Sequence, residues 1–378
     1  MTYCKAPWTH LSIKTDGNIK SCCRALPGSG FSNLSKESIM EAWNNPYMER
    51  LRKDLTAGIK NSNCDPCWNN ERDGVRSLRE KYNDLDLDVT KNKPIWLELK
   101  MSNLCNLRCR MCHVADSTAW ATDFDKVRRL HYKDWLNKVI DVLPFQKGYR
   151  LDVYNKQFFE DFEKLAPDIV RLSFAGGEPM YDEKHYMLLE MLQPYASRID
   201  LSYATNATID SYKGYNIFNL WKNFKSIQVS CSIDGFPQLS EYIRTNSNIS
   251  DTEKIIKKML AIPNISVTGK MTLSAWNIFY VPETFDYFKS LGIKKHDYHF
   301  VTFPEFLDCR IYSGEARKVI SNKLNTICDK IRSIKRYFDN STMFTENKWK
   351  SFLEYTNLLD NSRATSYKNF NFLRKYMI

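Results

Sequence analysis

Asn103-Leu104-Cys105-Asn106-Leu107-Arg108-Cys109-Arg110-Met111-Cys112 follows directly on Ile95–Met101, an apolar run of strand length. The cysteine spacing is Cys-x3-Cys-x2-Cys. Three thiolates on one loop bind three irons of a [4Fe–4S] cube and leave the fourth iron open to a non-protein ligand. A closed structural site takes four protein ligands. His113 adjoins Cys112 too closely to serve easily as a fourth, and a zinc site is the weaker reading because the motifs that follow agree with a cluster.

Outward from this loop, short apolar runs alternate with helical patterns. After Ile95–Met101 come Ile169–Phe174, Ile199–Tyr203, Ile227–Ile233, Ile265–Leu273 and Tyr298–Phe303. Between them lie Lys184–Leu192, Thr252–Ala261 and Pro282–Leu291, the last stopped by Gly292. Such alternation predicts βαβ units and parallel strands. Six strands are too few for a closed eight-stranded barrel, so the expected fold is α/β, a partial (β/α)6 barrel. Ligands in such folds bind at the C-terminal strand ends, where each motif falls: Phe174-Ala175-Gly176-Gly177-Glu178-Pro179, Thr205-Asn206-Ala207, Ser232-Ile233-Asp234-Gly235 and Tyr242-Ile243-Arg244.

In these motifs the chain resembles the radical S-adenosylmethionine superfamily over residues of about 95–300. The resemblance implies that Cys105, Cys109 and Cys112 hold the [4Fe–4S] cluster that binds S-adenosylmethionine. It implies that Gly176, Gly177, Glu178 and Pro179 form the loop that takes the methionine amino group. Two glycines let backbone approach a ligand, and Glu178 offers an ammonium a negative partner. It also implies cofactor contacts from Asn206 and Ser232, and a methionine carboxylate on Arg244. Ala207 stands where the family often has glycine. Reductive cleavage of the sulfonium then gives a 5′-deoxyadenosyl radical that takes a hydrogen atom from substrate.

The first 93 residues hold five further cysteines. Leu11–Lys20 reads as a hairpin turned at Asp16-Gly17. Ser35 is a candidate helix cap, and Met40, Trp43, Tyr47, Met48 and Leu51 form a helical stripe broken at Pro46. Cys4, Gly17-x4-Cys22-Cys23 and Cys64-Asp65-Pro66-Cys67 closely resemble the SPASM/twitch auxiliary-cluster module, here placed before the barrel. The implied ligands of one auxiliary [4Fe–4S] cluster are Cys4, Cys22, Cys64 and Cys67. Cys23 is the alternative to Cys22, since neighbouring strand side chains face opposite ways. A zinc ribbon is the competing reading. The domain division expected is therefore 1–93 auxiliary module, 94–310 partial barrel and 311–378 helical C-terminal extension, with a linker at Lys91–Pro94.

The 378 residues, 43% hydrophobic and 26% charged, suffice for a core, and no run approaches a membrane span. The start lacks an apolar signal region, so a cytoplasmic location is expected. There thiols stay reduced, and 11 cysteines, eight within the first 112 residues, mean ligation and not disulfides. Cys231 and Cys328 read as structural thiols. Cys309, after the last strand, reads as structural or as a hydrogen-atom donor to a substrate radical. Glu305, Asp308 and His299 are weaker candidates for substrate contact.

The net charge of +11 is concentrated in residues 311–378, with 13 Lys/Arg against 6 Asp/Glu. A solvated helical surface explains it better than nucleic-acid binding, because the charges are spread out. The resemblance to SPASM/twitch enzymes implies modification of peptide or protein side chains, while others of them oxidise sugars, alcohols or nucleotide derivatives. The expected reaction is therefore oxidative C–H modification of such a side chain, with an electron donor such as flavodoxin or ferredoxin. The alternatives are dehydrogenation or epimerisation of a sugar, nucleotide or other small acidic substrate, RNA modification, and a non-catalytic Fe–S or zinc protein.

Overall fold

The computed structural model describes residues 2–26, 30–72, 74, 76–127, 152–325 and 328–377. Its strands are β1 (His10–Ile13), β2 (Asn18–Lys20), β3 (Ser32–Asn33), β4 (Trp96–Lys100), β5 (Arg108–Cys109), β6 (Arg171–Ala175), β7 (Asp200–Thr205), β8 (Ser211–Tyr212), β9 (Tyr215–Asn216), β10 (Ser226–Ser232), β11 (Arg244–Thr245), β12 (Ile265–Leu273) and β13 (Lys295–Phe300). The six strands expected from apolar runs are β4, β6, β7, β10, β12 and β13, separated by helices. The fold is α/β and open, as expected. The last strand begins and ends three residues before the expected Tyr298–Phe303.

The chain divides into two compact units. The first comprises Met1–Asn103, Leu151–Ala204 and Ser211–Gln228; the second comprises Leu104–Arg150, Thr205–Asp210 and Val229–Ile378.

In the first unit the strands lie in the order β7-β6-β4-β1-β2-β3. β7, β6, β4 and β1 are parallel; β1-β2 and β2-β3 are antiparallel. The cysteine-rich hairpin thus extends the run of barrel strands beside β4, with Ser12 opposite Glu98 and Ile13 opposite Leu99. Gly17 turns the hairpin at φ +81°, open to glycine without strain. β4 alternates as its period demands, Leu97 and Leu99 inward to the core and Trp96, Glu98 and Lys100 on a half-buried face. The expected helix break at Pro46 is a helix start: Pro46 opens Pro46–Thr56, and the Asn45 side chain accepts from Tyr47 N. The preceding helix Ile39–Trp43 is capped by Ser38, not Ser35, in a reciprocal box with Glu41.

His185, on helix Glu183–Met191, is fully buried against Phe174 and bonds Tyr203 Oη at 2.9 Å. Burial brings its pKa from 6.5 down to about 3. The unfolded chain therefore takes up a proton below pH 6.5 that the fold refuses until about pH 3. Stability is full above pH 6.5 and falls with acid, by about 2 kcal/mol at pH 5. His185→Gln is expected to flatten the slope of unfolding free energy between pH 6.5 and 4. Equal slopes in variant and parent would refute this.

In the second unit β12 and β13 are parallel and β10 adjoins β12. Gly269 of β12 sits under the Phe288 ring, where a Cβ would lie 2.9 Å from the nearest ring carbon. The C-terminal segment is helical: Gly314–Lys323, Asp329–Asn340, Glu346–Arg363 and Asn371–Tyr376. Its cations are largely engaged, Lys323 with Glu283, Lys348 with Glu305 and Arg363 with Asp123. Among the described residues no helix is long and apolar enough to cross a membrane.

Candidate active site and metal centres

The three-cysteine loop belongs to the second unit. Cys105 and Cys109 are buried with Leu107, and Met111 and Cys112 pack against them. Cys109 lies in β5, which pairs antiparallel with β11 so that Arg244 stands opposite Cys109. The Cys112 thiol donates to Cys109 and holds the Cys109 pKa down against burial, with help from Arg244 and Arg363. The same bond, and burial, push Cys112 up. Ligation of either sulfur to a metal requires the loss of its proton.

Other expected residues of this unit gather around the loop. The Asn206 amide nitrogen is 3.9 Å from Cys105 Sγ and 2.9 Å from Asn106 Oδ1. Ala207 holds φ +54°, the left-handed conformation that explains glycine at this point of the motif. Arg244 Nη1 lies 3.7 Å from Cys109 Sγ, and Nε lies 2.7 Å from Asp234 Oδ2. Burial opposes the Arg244 charge, but Asp234 and the neighbouring cysteines outweigh it and raise its pKa. Ser232 ends β10 half-buried. Cys231 is buried on the opposite face of that strand, as alternation requires. Cys309 has no exposed surface, and burial raises its pKa. Cys328, expected as a structural thiol, is half-exposed and immediately precedes helix Asp329–Asn340.

Sequence reasoning missed what lies behind the loop. Four consecutive loop carbonyls are each taken by a side chain: Leu107 O by Ser117 Oγ (2.6 Å), Arg108 O by Arg363 Nη1 (2.7 Å), Cys109 O by Trp120 Nε1 (2.8 Å) and Arg110 O by Tyr355 Oη (2.9 Å). Two of these donors come from helix Glu346–Arg363. Arg110 itself is fully buried; its guanidinium bonds Tyr242 O, Asp360 Oδ1 at 2.5 Å and Thr365 Oγ1, and stacks 3.7 Å from the Tyr242 ring centre. The C-terminal extension is thus the scaffold of the cysteine loop. No motif announces it, because its residues are more than 230 positions from those they hold.

The first unit carries the other two expected sites. Cys4, Cys22, Cys64 and Cys67 line one cavity, with Trp68, Arg79 and Tyr82; Cys23 is not in its lining. Cys22 is raised to about 11 and Cys64 to about 12, with burial the main cause and the neighbouring cysteines a lesser one. Among the described residues no three His, Cys, Asp or Glu side chains converge as around a single ion; the four thiols surround a space instead, which suits a polynuclear group. Arg79 spans the rim, bonding Tyr3 O and pairing with Glu71 at 2.7 Å. Cys23 turns the other way, and burial and then the Glu98 carboxylate raise its pKa.

After β6, Gly176 and Gly177 hold φ +79° and +51°. A Cβ on Gly176 would stand 2.8 Å from Lys100 Cβ, so the loop passes β4 as only glycine allows. Glu178 is 1% exposed and accepts from Met180 N at 3.1 Å, while Pro179 opens a short 3-10 turn.

An open α/β strand array carrying a three-thiol loop and a separate four-thiol cavity defines the class as a cysteine-rich α/β protein with metal-cluster sites. Comparison with known proteins makes it particular. The radical SAM superfamily model matches residues 99–288, half the chain, and the model of an iron–sulfur cluster-binding domain, SPASM, matches residues 4–69. The chain belongs to the radical SAM superfamily. S-adenosylmethionine and a [4Fe–4S] cluster come with that family, and an auxiliary cluster with the SPASM domain.

No curated protein matches the chain. Among solved structures it is similar to a tagged form of anSMEcpe with bound AdoMet, at 16% identity and TM-score 0.39, over 70% of this chain and 66% of that one. It is also similar to SuiB from Streptococcus suis, at 16% identity and TM-score 0.37, over 86% and 64%. The match spans just under two thirds of each of these proteins.

Proposed function

We propose that this protein uses S-adenosylmethionine to abstract a hydrogen atom from a peptide or protein side chain and leaves an oxidised product. The observation that carries the reading is the division of the cysteines into an open set of three and a closed set of four. When bound, the cofactor and its cluster supply a 5′-deoxyadenosyl radical. The chain's own residues do the rest. Cys105, Cys109 and Cys112 hold the catalytic cluster through three irons. Glu178, on the Gly176-Gly177 loop, takes the methionine ammonium, and Arg244 its carboxylate. Asn206 and Ser232 make polar contacts with the cofactor. Cys4, Cys22, Cys64 and Cys67 would hold the auxiliary cluster with four thiolates, and the chemistry it would supply is electron acceptance rather than substrate binding. Residues 1–93 then act as the auxiliary module and 94–310 as the catalytic one, fed by a flavodoxin or ferredoxin.

Reconstituted protein is expected to hold about eight irons, falling to about four in Cys64→Ala and Cys22→Ala and staying at about eight in Cys23→Ala. On reduction, the parent and Cys64→Ala should both release 5′-deoxyadenosine from S-adenosylmethionine. Four irons in the parent, unchanged by Cys64→Ala, would remove the auxiliary site. No 5′-deoxyadenosine from protein with full iron, tried with and without peptide substrates, would overturn the reaction.

A further inference from the structure

We propose that Lys14 and Lys100 form a carboxylate-binding pair for the substrate, so that this enzyme selects an acidic side chain. The inference rests on the reaction proposed above and adds its substrate class.

The register of β1 against β4 pairs Ile13 with Leu99; one residue on, Lys14 stands beside Lys100. Both lie at the C-terminal ends of parallel strands, where ligands bind. Both are half-buried, and no carboxylate of the described residues forms an ion pair with either. Two ammonium groups held side by side repel each other; burial and then Lys100 lower the Lys14 pKa, and the Glu98 carboxylate, which also accepts from Ser12 Oγ, offsets this only in part. Such an arrangement is relieved by an incoming anion.

The surroundings fit a ligand. Ala175 stands beside Lys100 in register, and one row back on the same face Ser12, Glu98, Ser173 and Ser202 follow one another across the strands, so the face beyond the lysines is polar and holds one carboxylate. The Gly176 position presses on Lys100 Cβ and Thr15 Cγ2. The pair therefore borders the loop assigned to the methionine end of the cofactor, and a carboxylate there has two sources, the substrate and the methionine itself.

The test uses the reconstituted full chain with S-adenosylmethionine present and two blocked peptides, acetyl-Ala-Glu-Ala-amide and its Gln counterpart, in calorimetric titration. The Glu peptide is expected to bind about tenfold more tightly. Lys14→Gln and Lys100→Gln should each erase that preference, Lys14→Arg should retain it, and S-adenosylmethionine should bind all variants as it binds the parent. Equal binding or no binding of the two peptides overturns the proposal. So does weakened S-adenosylmethionine binding in the variants, which would give the pair to the methionine carboxylate. Binding is read without turnover, so a failure of the radical reaction shows separately, as missing 5′-deoxyadenosine in the parent.

Discussion

Asp360→Ala is expected to lower unfolding free energy by about 3–5 kcal/mol, because it leaves the Arg110 guanidinium buried without its counter-charge. Arg110 has no exposed surface, and Asp360 meets it at 2.5 Å while also accepting from Tyr367 N at 2.8 Å. Surface pairs of the same helix give the contrast: Lys350 and Glu354 lie 3.9 Å apart, well exposed, and their loss should cost about 0.5 kcal/mol or less. The buried pair does not follow that rule, since removing one partner exposes the full desolvation cost of the other. Replacing both members by apolar residues, Arg110→Met with Asp360→Leu, should recover much of the loss. Arg110 sits between Cys109 and Cys112, which the proposed function makes ligands, so Asp360→Ala should also lower iron retention in the catalytic cluster while the auxiliary four irons stay. Urea unfolding and iron analysis read both effects. A loss below about 1 kcal/mol, or a double variant no better than the single, would refute the clamp.

The contrast between Arg110 and Cys109 shows what sequence can reveal. The three cysteines are legible because metal chemistry fixes their spacing within one loop. The six strands are legible because burial of one face puts an apolar residue at every second position, as in Leu97 and Leu99 or Ile227 and Val229. The choice between Cys22 and Cys23 was open to alternation, and the cavity lining favours Cys22. Boundaries were less legible: the start of β13 at Lys295 is hidden because its exposed face carries Lys295, Asp297 and His299, polar residues that break up the apolar run. The helix cap went to Ser38 because only Ser38 has Glu41 three residues on, whereas Ser35 has Ser38 there. Least legible was the clamp. Arg110 and Asp360 are ordinary charges in sequence, and only tertiary folding makes each necessary to the other. For the same reason the basic C-terminal segment reads as a free surface in sequence, although Arg363 is spent on Asp123 and on the Arg108 carbonyl.

Arg244 tests whether fold and chemistry share one residue. In the structure its charge is committed to Asp234, which is fully buried and also accepts from Thr272 N at 2.7 Å. The function proposed gives the same guanidinium a methionine carboxylate. Arg244→Gln is therefore expected to cost about 3–5 kcal/mol of stability, by stranding Asp234, and to weaken S-adenosylmethionine binding by about tenfold or more. Loss of both properties would not separate the roles, because a destabilised site also binds poorly. Asp234→Asn separates them. It strands the arginine instead of the aspartate, so the free protein should again lose stability. A carboxylate arriving with S-adenosylmethionine then supplies the missing counter-charge. Ligand binding stabilises a fold in proportion to its preference for the folded state. Saturating S-adenosylmethionine should therefore raise the melting temperature of Asp234→Asn by more than it raises that of the parent. An equal rise in both would mean that Arg244 serves Asp234 and Cys109 alone, and that the methionine carboxylate is held elsewhere.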